Sequence, residues 1–373
     1  MKSCSKAHAV IGLGFGDEGK GVQVNSLCFK RDNPLIVRYS GGQQAGHTVT
    51  VGKKTHVFSN FGSGTLLGVP TYWSEYCTFD PIGAVNEYYI LKDKGIEPTI
   101  FINKKCPVTT SHDKYHNRMN DFQNGTCGVG VGSTIQREED HYSLLVEDLL
   151  CDSILKIKLE MIRDHYKILS LDNNFLKYCY AFKMIPNFQV VDSMPEGYSD
   201  YIFEGSQGLL LDQDIGFFPH VTRSSVGTRN ILMECMISDK LNDEPYIYLM
   251  TRAFQTRHGN GPMTNEDKPH NIKDNPYETN KDNEFQGKFR RTLLDLDLLK
   301  YAISKDDYIR DTKNKELVIT CLDLVENEYR YTTDGTVVSC NNEECFAQTI
   351  RDCLEIPKVS TIHSPSGDRR VYE

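Results

Sequence analysis

Short apolar runs rich in Val, Ile, Tyr and Phe recur along the chain at residues 7–13, 35–39, 99–102, 201–203, 246–250 and 317–320. Continuous rather than alternating apolar character predicts strands covered on both faces, as in a parallel sheet. Between them the apolar spacing becomes helical, most clearly over 142–166 and 292–304. Strands alternating with helices predict an α/β protein with a largely parallel central sheet and flanking helices. Residues 264–288 are polar almost throughout and predict a long surface loop of the kind that is often functional in compact enzymes. There is no internal repeat and no composition break that would mark a linker, so residues 1–373 are expected to form one domain with insertions.

The charge balance changes the expected partner. With 42 basic and 51 acidic residues the formal net charge is −9 and no basic run stands out, which argues against a protein that grips nucleic acid through its phosphates. A small charged molecule is the better candidate. No apolar stretch approaches the roughly 18 residues of a membrane span, and the first residues lack a signal-peptide core, so a cytoplasmic location is expected.

Twelve cysteines are scattered without a CxxC pair and are expected to be mostly buried and reduced. The spacings of Cys340, Cys345 and Cys353 fit no common zinc module. His112 and His116 stand at i, i+4 with no third ligand in view and are expected as a solvated pair. Trp73 and the remaining histidines are expected in core or surface roles.

The first strand runs into the segment GLGFGDEGKG at residues 12–21. Gly14, Gly16 and Gly19 fit the dinucleotide pattern GxGxxG, and Gly14 with Gly19 and Lys20 fits the phosphate loop GxxxxGK. In the latter, bare backbone N–H groups cradle phosphate oxygens and a lysine neutralises them. Gly21 replaces the usual magnesium-binding Ser or Thr, which leaves Asp17 as the oxygen donor for a metal. A second strand-end cluster, YSGGQQAGHT at 39–48, again mixes small residues with polar tips. His47 within it is a candidate acid or hydrogen-bond donor.

G-D-E-G-K-G followed by G-G-x-x-A-G-H-T resembles the adenylosuccinate synthetase family. Further matches span nearly the whole chain: FEGSQGLLLD at 203–212, PHVT at 219–222, TRAFQTRHGNGP at 251–262, TCLD at 320–323 and SGDR at 366–369. The resemblance implies a ligase that phosphorylates the 6-oxo group of a purine nucleoside monophosphate with a nucleoside triphosphate, then lets L-aspartate displace phosphate. It implies Asp17 as the base at N1, His47 at the transferring phosphoryl group, and Lys20 and Gln207 as further catalytic residues. Gly14, Gly16, Glu18, Gly19, Lys20, Gly21, Gly46, Thr48, Asp323, Ser366 and Gly367 would bind the triphosphate. Magnesium would sit on Asp17 and the Gly46 carbonyl. Asp17, Gln44, Thr126, Cys127, Ser206, Gln207 and Thr222 would contact the substrate nucleotide, and Gln286, Lys288, Arg290 and Arg291 the aspartate. A homodimer is implied as well.

The departures from the family pattern collect at substrate-facing loops. Cys127 replaces a phosphate-contacting threonine, and Arg137 is the nearest counterpart of the arginine that reaches across the dimer. Gln44 replaces asparagine, Ser206 replaces alanine, and Gln286, Lys288 and Arg290 replace threonine, arginine and arginine. Trading an arginine fork for a lysine point charge is not neutral. Retained catalytic residues with altered specificity loops resemble the phage-type branch that uses dGMP, whose 2-amino group donates two hydrogen bonds that Ser206, Gln44 or Asp17 could accept. The favoured substrate is therefore dGMP, with IMP the alternative, and the phosphoryl donor is GTP or ATP. From other classes come a nucleotide binder without turnover and a NAD-dependent dehydrogenase.

Overall fold

The computed structural model describes residues 5–120, 126–168, 172–238, 241, 244–275, 278, 287–363 and 369–372. The strands are β1 (Lys6–Gly12), β2 (Pro34–Arg38), β3 (His47–Val51), β4 (Lys54–Phe58), β5 (Thr71–Trp73), β6 (Ile100–Asn103), β7 (Phe188–Val191) and β8 (Asp200–Gly208). They continue with β9 (Tyr246–Arg252), β10 (Phe254–His258), β11 (Phe289–Asp295), β12 (Lys315–Thr320), β13 (Tyr329–Thr333), β14 (Thr336–Cys340), β15 (Val359–Ile362) and β16 (Arg369–Tyr372).

Ten of these form one sheet in the order β16-β15-β12-β9-β1-β8-β2-β5-β6-β7. Every pairing in it is parallel except β15 with β16. All six apolar runs fall on its strands, and the fully buried patterns of β2 and β12 explain why they read as continuous. A four-stranded sheet β10-β11-β13-β14 and the hairpin β3-β4 complete the framework. β1 lies between β8 and β9, and the chain leaves it to form β2 on the far side of β8. In an open parallel sheet that exchange of order opens a crevice at the carboxyl ends of the strands, where ligands bind.

Two helix expectations need correction. Residues 142–166 hold a 3-10 turn at Val146–Leu150 before the helix Asp152–His165 begins. Residues 292–304 are strand up to Asp295, whose carboxylate then caps the helix Leu296–Lys305 by accepting from the Asp297 N–H at 3.0 Å. The polar segment after residue 264 carries no helix or strand among its described residues.

Among the described cysteines, Cys28, Cys77, Cys106, Cys179, Cys235 and Cys340 are buried free thiols, and Trp73 is fully buried. His112 is buried and the His116 ring lies tilted 4.9 Å from that of Tyr166, so this pair is packed rather than solvated. No group of three His, Cys, Asp or Glu among the described residues is arranged to hold a metal ion. No helix among them is long and apolar enough to cross a membrane.

Candidate active site

β1 ends at Gly12, and the chain turns through left-handed Gly16, Asp17 and Gly19 into the helix Lys20–Phe29. Gly19 is the helix N-cap at φ 80, so the free N–H groups of the first turn face the crevice above β1. Glu18 folds back into the loop rather than outward. Its Oε1 accepts from the Gly14 and Gly16 N–H groups at 3.1 and 2.8 Å, and its Oε2 accepts from Lys20 Nζ at 2.5 Å. The loop is thus closed on an internal carboxylate. Gly208 lies directly opposite Gly12 in the β1–β8 register, and a Cβ there would collide with the Gly14 carbonyl and with Glu18. Three distant residues hold the outer backbone: Arg252 Nε donates to the Asp17 carbonyl, Thr256 Oγ1 to that of Gly16 at 3.4 Å, and Thr320 Oγ1 to that of Glu18 at 3.1 Å.

His47 opens β3 directly after the small-residue loop that follows β2. Its Nδ1 donates to Glu204 Oε1 at 2.6 Å, while Nε2 is buried and has no partner. Glu204 lies on β8 with no exposure at all, and accepts further hydrogen bonds from the Ser63 N–H at 3.1 Å and the Ser63 hydroxyl. Burial alone would raise its pKa, but His47, Arg38 and Ser63 outweigh that and hold the carboxyl at about 2. Burial lowers the pKa of His47, against the pull of Glu204. Arg38 faces Glu204 across the β2–β8 register and is fully buried 5.0 Å from the centre of the Trp73 ring, and its guanidinium nitrogens have no hydrogen-bond partner among the described residues. Its charge acts on the dyad through space. Glu204, Ser63 and Arg38 were not among the sequence candidates.

Ser206 and Gln207 lie near the end of β8. The Ser206 hydroxyl donates to Gln207 Oε1 at 2.7 Å and lies 3.0 Å from the Ser40 hydroxyl. Gln44 is half-buried beside them with neither amide atom paired. Thr222 is half-buried, its N–H donating to the Leu211 carbonyl at 2.7 Å. Thr126 Oγ1 donates to Asn117 at 3.2 Å, and next to it Cys127 is a thiol whose pKa is raised by burial. A neutral thiol is a poor phosphate ligand. Arg137 cannot serve a second subunit: it is fully buried, with Nε 2.9 Å from Asp113 and Nη2 donating to the Val108 carbonyl at 2.8 Å.

The amino-donor candidates lie on the β10–β11 ledge. Lys288 is exposed. Arg290 donates to the Gly259 and Gly261 carbonyls at 2.7 and 2.9 Å, and Arg291 to the Lys273 carbonyl at 2.9 Å. An open cavity of about 340 Å³ is lined by both arginines, Thr292, Glu266, Lys268, Pro269 and His270. Lys268 and His270 are further basic groups that the sequence motifs did not single out. Thr256, which reaches the phosphate loop, is opposite Arg291 in the strand register, so ledge and loop adjoin. Asp323 is exposed on the turn Leu322–Leu324 that follows β12. Gln286, Ser366 and Gly367 lie outside the described residues.

Asp17 sits at φ 64 at the loop's apex. Burial raises its pKa, helped by Glu278 and Glu18 and opposed by Arg252 and Lys20. A cation would reverse that balance and keep the carboxylate ionised. The carboxylate of Asp17 and the carbonyl of exposed Gly46 are hard oxygen donors, which fits magnesium, an ion that completes its shell with water and phosphate oxygens.

Comparison with known proteins places this geometry. The model of the adenylosuccinate synthetase family matches residues 9–348. The adenylosuccinate synthetase of Thermoplasma volcanium is 28% identical over 357 residues, covering 89% of this chain and 80% of the relative. That of Francisella philomiragia is 28% identical over 360 residues, covering 89% and 82%. Among solved structures, the fully ligated adenylosuccinate synthetase of Plasmodium falciparum superposes with a TM-score of 0.79 at 17% identity, covering 99% of this chain and 100% of its own. The succinoaminodeoxyadenylate synthetase of cyanophage S-2L, bound to dGMP and dATP, gives 0.65 at 15% identity, covering 95% and 92%. With the family model spanning most of its length and the fold shared throughout, this chain belongs to the adenylosuccinate synthetase family and is a purine nucleotide–aspartate ligase of that type.

Proposed function

We propose that the enzyme phosphorylates the 6-oxygen of IMP with GTP and then forms the N6-succinyl nucleotide with L-aspartate. A 6-oxo oxygen cannot leave as oxide, whereas phosphate can. The observation that carries the reading is the buried, unpartnered Nε2 of His47, oriented by Glu204 beside a loop built for phosphate. As negative charge develops on O6 and the moving phosphoryl oxygens, the Glu204 carboxylate supports a protonated His47 that donates from Nε2. Asp17 takes the N1 proton and thereby places charge on O6. Lys20 and the loop amides hold the triphosphate, which requires Glu18 to yield them. Gln207 binds the base near O6, and Thr222 and Thr126 bind at the 5′-phosphate. Magnesium, held by Asp17 and Gly46, would neutralise charge on the triphosphate oxygens. Lys288, Arg290 and Arg291 receive the carboxylates of aspartate. Asp323 accepting from guanine N1–H and N2–H favours GTP as donor. The resemblance adds a homodimer, and the exposed Tyr115 and Met119 beside the 126–130 loop give it apolar surface.

The relatives at 28% identity, all adenylosuccinate synthetases, favour IMP over the dGMP preference that the altered loops suggested. A dGMP reading keeps one specific support. The Ser206–Ser40 hydroxyl pair and the unpaired Gln44 amide are acceptors that a 2-amino group would use, and the cyanophage enzyme of similar fold binds dGMP. Phosphate release with L-aspartate and magnesium, comparing IMP with dGMP and GTP with ATP, decides between them. Turnover on IMP supports the proposal, and turnover on dGMP alone replaces it.

A further inference from the structure

The polar segment that enters the β10–β11 ledge supplies one carboxylate to Arg290 and one to Arg291. Glu266 Oε1 lies 3.0 Å from Arg290 Nη1, and Asp274 Oδ1 lies 2.6 Å from Arg291 Nη2. Glu278, farther along the same segment, lies 3.0 Å from Arg252 Nη1, the arginine that also binds the Asp17 carbonyl. Arg290 Nη2 also donates to the Gly259 and Gly261 carbonyls and Arg291 Nη1 to the Lys273 carbonyl, so each guanidinium keeps a backbone anchor when its carboxylate leaves. The carboxylates themselves are free to leave: the Glu266 side chain is 49% exposed and that of Asp274 95%. Glu266 lines the 340 Å³ cavity together with Lys268, His270 and the two arginines.

We infer that Glu266 and Asp274 are intramolecular competitors for the carboxylate sites of the amino donor. This rests on the reading that Arg290 and Arg291 bind the carboxylates of aspartate. A dicarboxylate amino acid entering the cavity exchanges each internal ion pair for one of its own, and no charge is left unpaired because the displaced side chains move into water. A monocarboxylate donor can replace only one of the two pairs. The segment therefore raises the concentration of donor needed for half-saturation and disfavours donors with a single carboxylate.

Exposed ion pairs contribute about 0.2–1 kcal/mol, so each competitor should change the apparent donor affinity by roughly 1.5- to 5-fold. The test is steady-state phosphate release against L-aspartate for the full-length enzyme, its Glu266→Gln and Asp274→Asn variants, the double variant, and Arg290→Gln and Arg291→Gln. The expected result is a lower KM for aspartate in Glu266→Gln and Asp274→Asn, lowest in the double variant, with kcat and the KM for nucleotide unchanged. The two arginine variants should raise the KM for aspartate. If they do, and the carboxylate variants leave that KM unchanged or raise it, the competition is overturned while the donor site stands. If neither arginine variant alters KM in a protein with wild-type melting, the donor-site reading falls and this inference with it.

Discussion

Replacing Glu204 by Gln tests the reasoning about the active site most directly. The carboxylate makes a 2.6 Å bond to His47 Nδ1, accepts from Ser63 and opposes the buried Arg38 charge, yet lies beneath the site. A hydrogen bond to a charged group is worth about 1.5–3 kcal/mol, or roughly one to two decades of rate at 1.36 kcal/mol per decade. Amide substitution of a carboxylate that orients a histidine also frees the wrong tautomer and can cost about 10⁴ in kcat. The expected fall in kcat is thus about 10 to 10⁴, with the KM for nucleotide little changed. Removing one member of a buried charge pair also costs stability, on the order of 3 kcal/mol. Phosphate release should therefore be measured well below the melting temperature of the variant. Arg38→Met in the same background should recover stability without recovering kcat. A folded Glu204→Gln enzyme that keeps kcat within about threefold of wild type would refute the claim that this carboxylate sets the chemistry of His47.

Three further outcomes are expected. Asp17→Asn should abolish turnover while nucleotide still raises the melting temperature; loss of both would assign Asp17 to binding alone. Burial pushes the carboxyl of Glu234 up to about 7, so the stability it contributes is present below about 4.5 and lost as pH rises through 7. Glu234→Gln should consequently be more stable than wild type at pH 8, by about 3 kcal/mol, and gain nothing at pH 4.5. A difference in melting that is equal at the two pH values would mean that Glu234 titrates normally. Gly208→Ala should destroy the phosphate loop because its methyl group collides with the Gly14 carbonyl, whereas Gly132→Ala, whose nearest neighbour is Arg223 Cδ at 3.9 Å, should be active. Circular dichroism and phosphate release check both.

What could be seen in the sequence follows from how each element is covered. The six apolar runs were visible because parallel strands are buried on both faces and need no alternation. The strand-to-helix change at Asp295 was not, because Leu293, Leu294, Leu296 and Leu299 hold a helical period across it and the break depends on a side-chain cap. Asp17, Lys20 and His47 stand in glycine-rich strand ends, where unusual composition marks them. Glu204 and Arg38 went unnoticed inside the apolar stretches YIFEG and LIVRY, although a charged residue within a fully buried strand is rare enough to be a signal. Glu18 was grouped with the ligand-facing residues, and only the fold reveals that its carboxylate turns inward to the loop amides. Arg137 failed as a cross-subunit candidate because proximity in sequence says nothing about which wall a side chain lines.

The three tethers of the phosphate loop have a consequence for biosynthesis. Residues 16–18 emerge from the ribosome early, yet their carbonyls are held by Arg252, Thr256 and Thr320, the last of them 302 positions away. Contacts that span such distances close late, after the loop-closure entropy of most of the chain has been overcome. A nascent chain that stops before β12 can pair β1 with β8 and β9 but leaves the Glu18 carbonyl without its anchor. A fully anchored phosphate loop therefore requires synthesis through β12, and a product that stops before Thr320 is expected to lack the tether on Glu18.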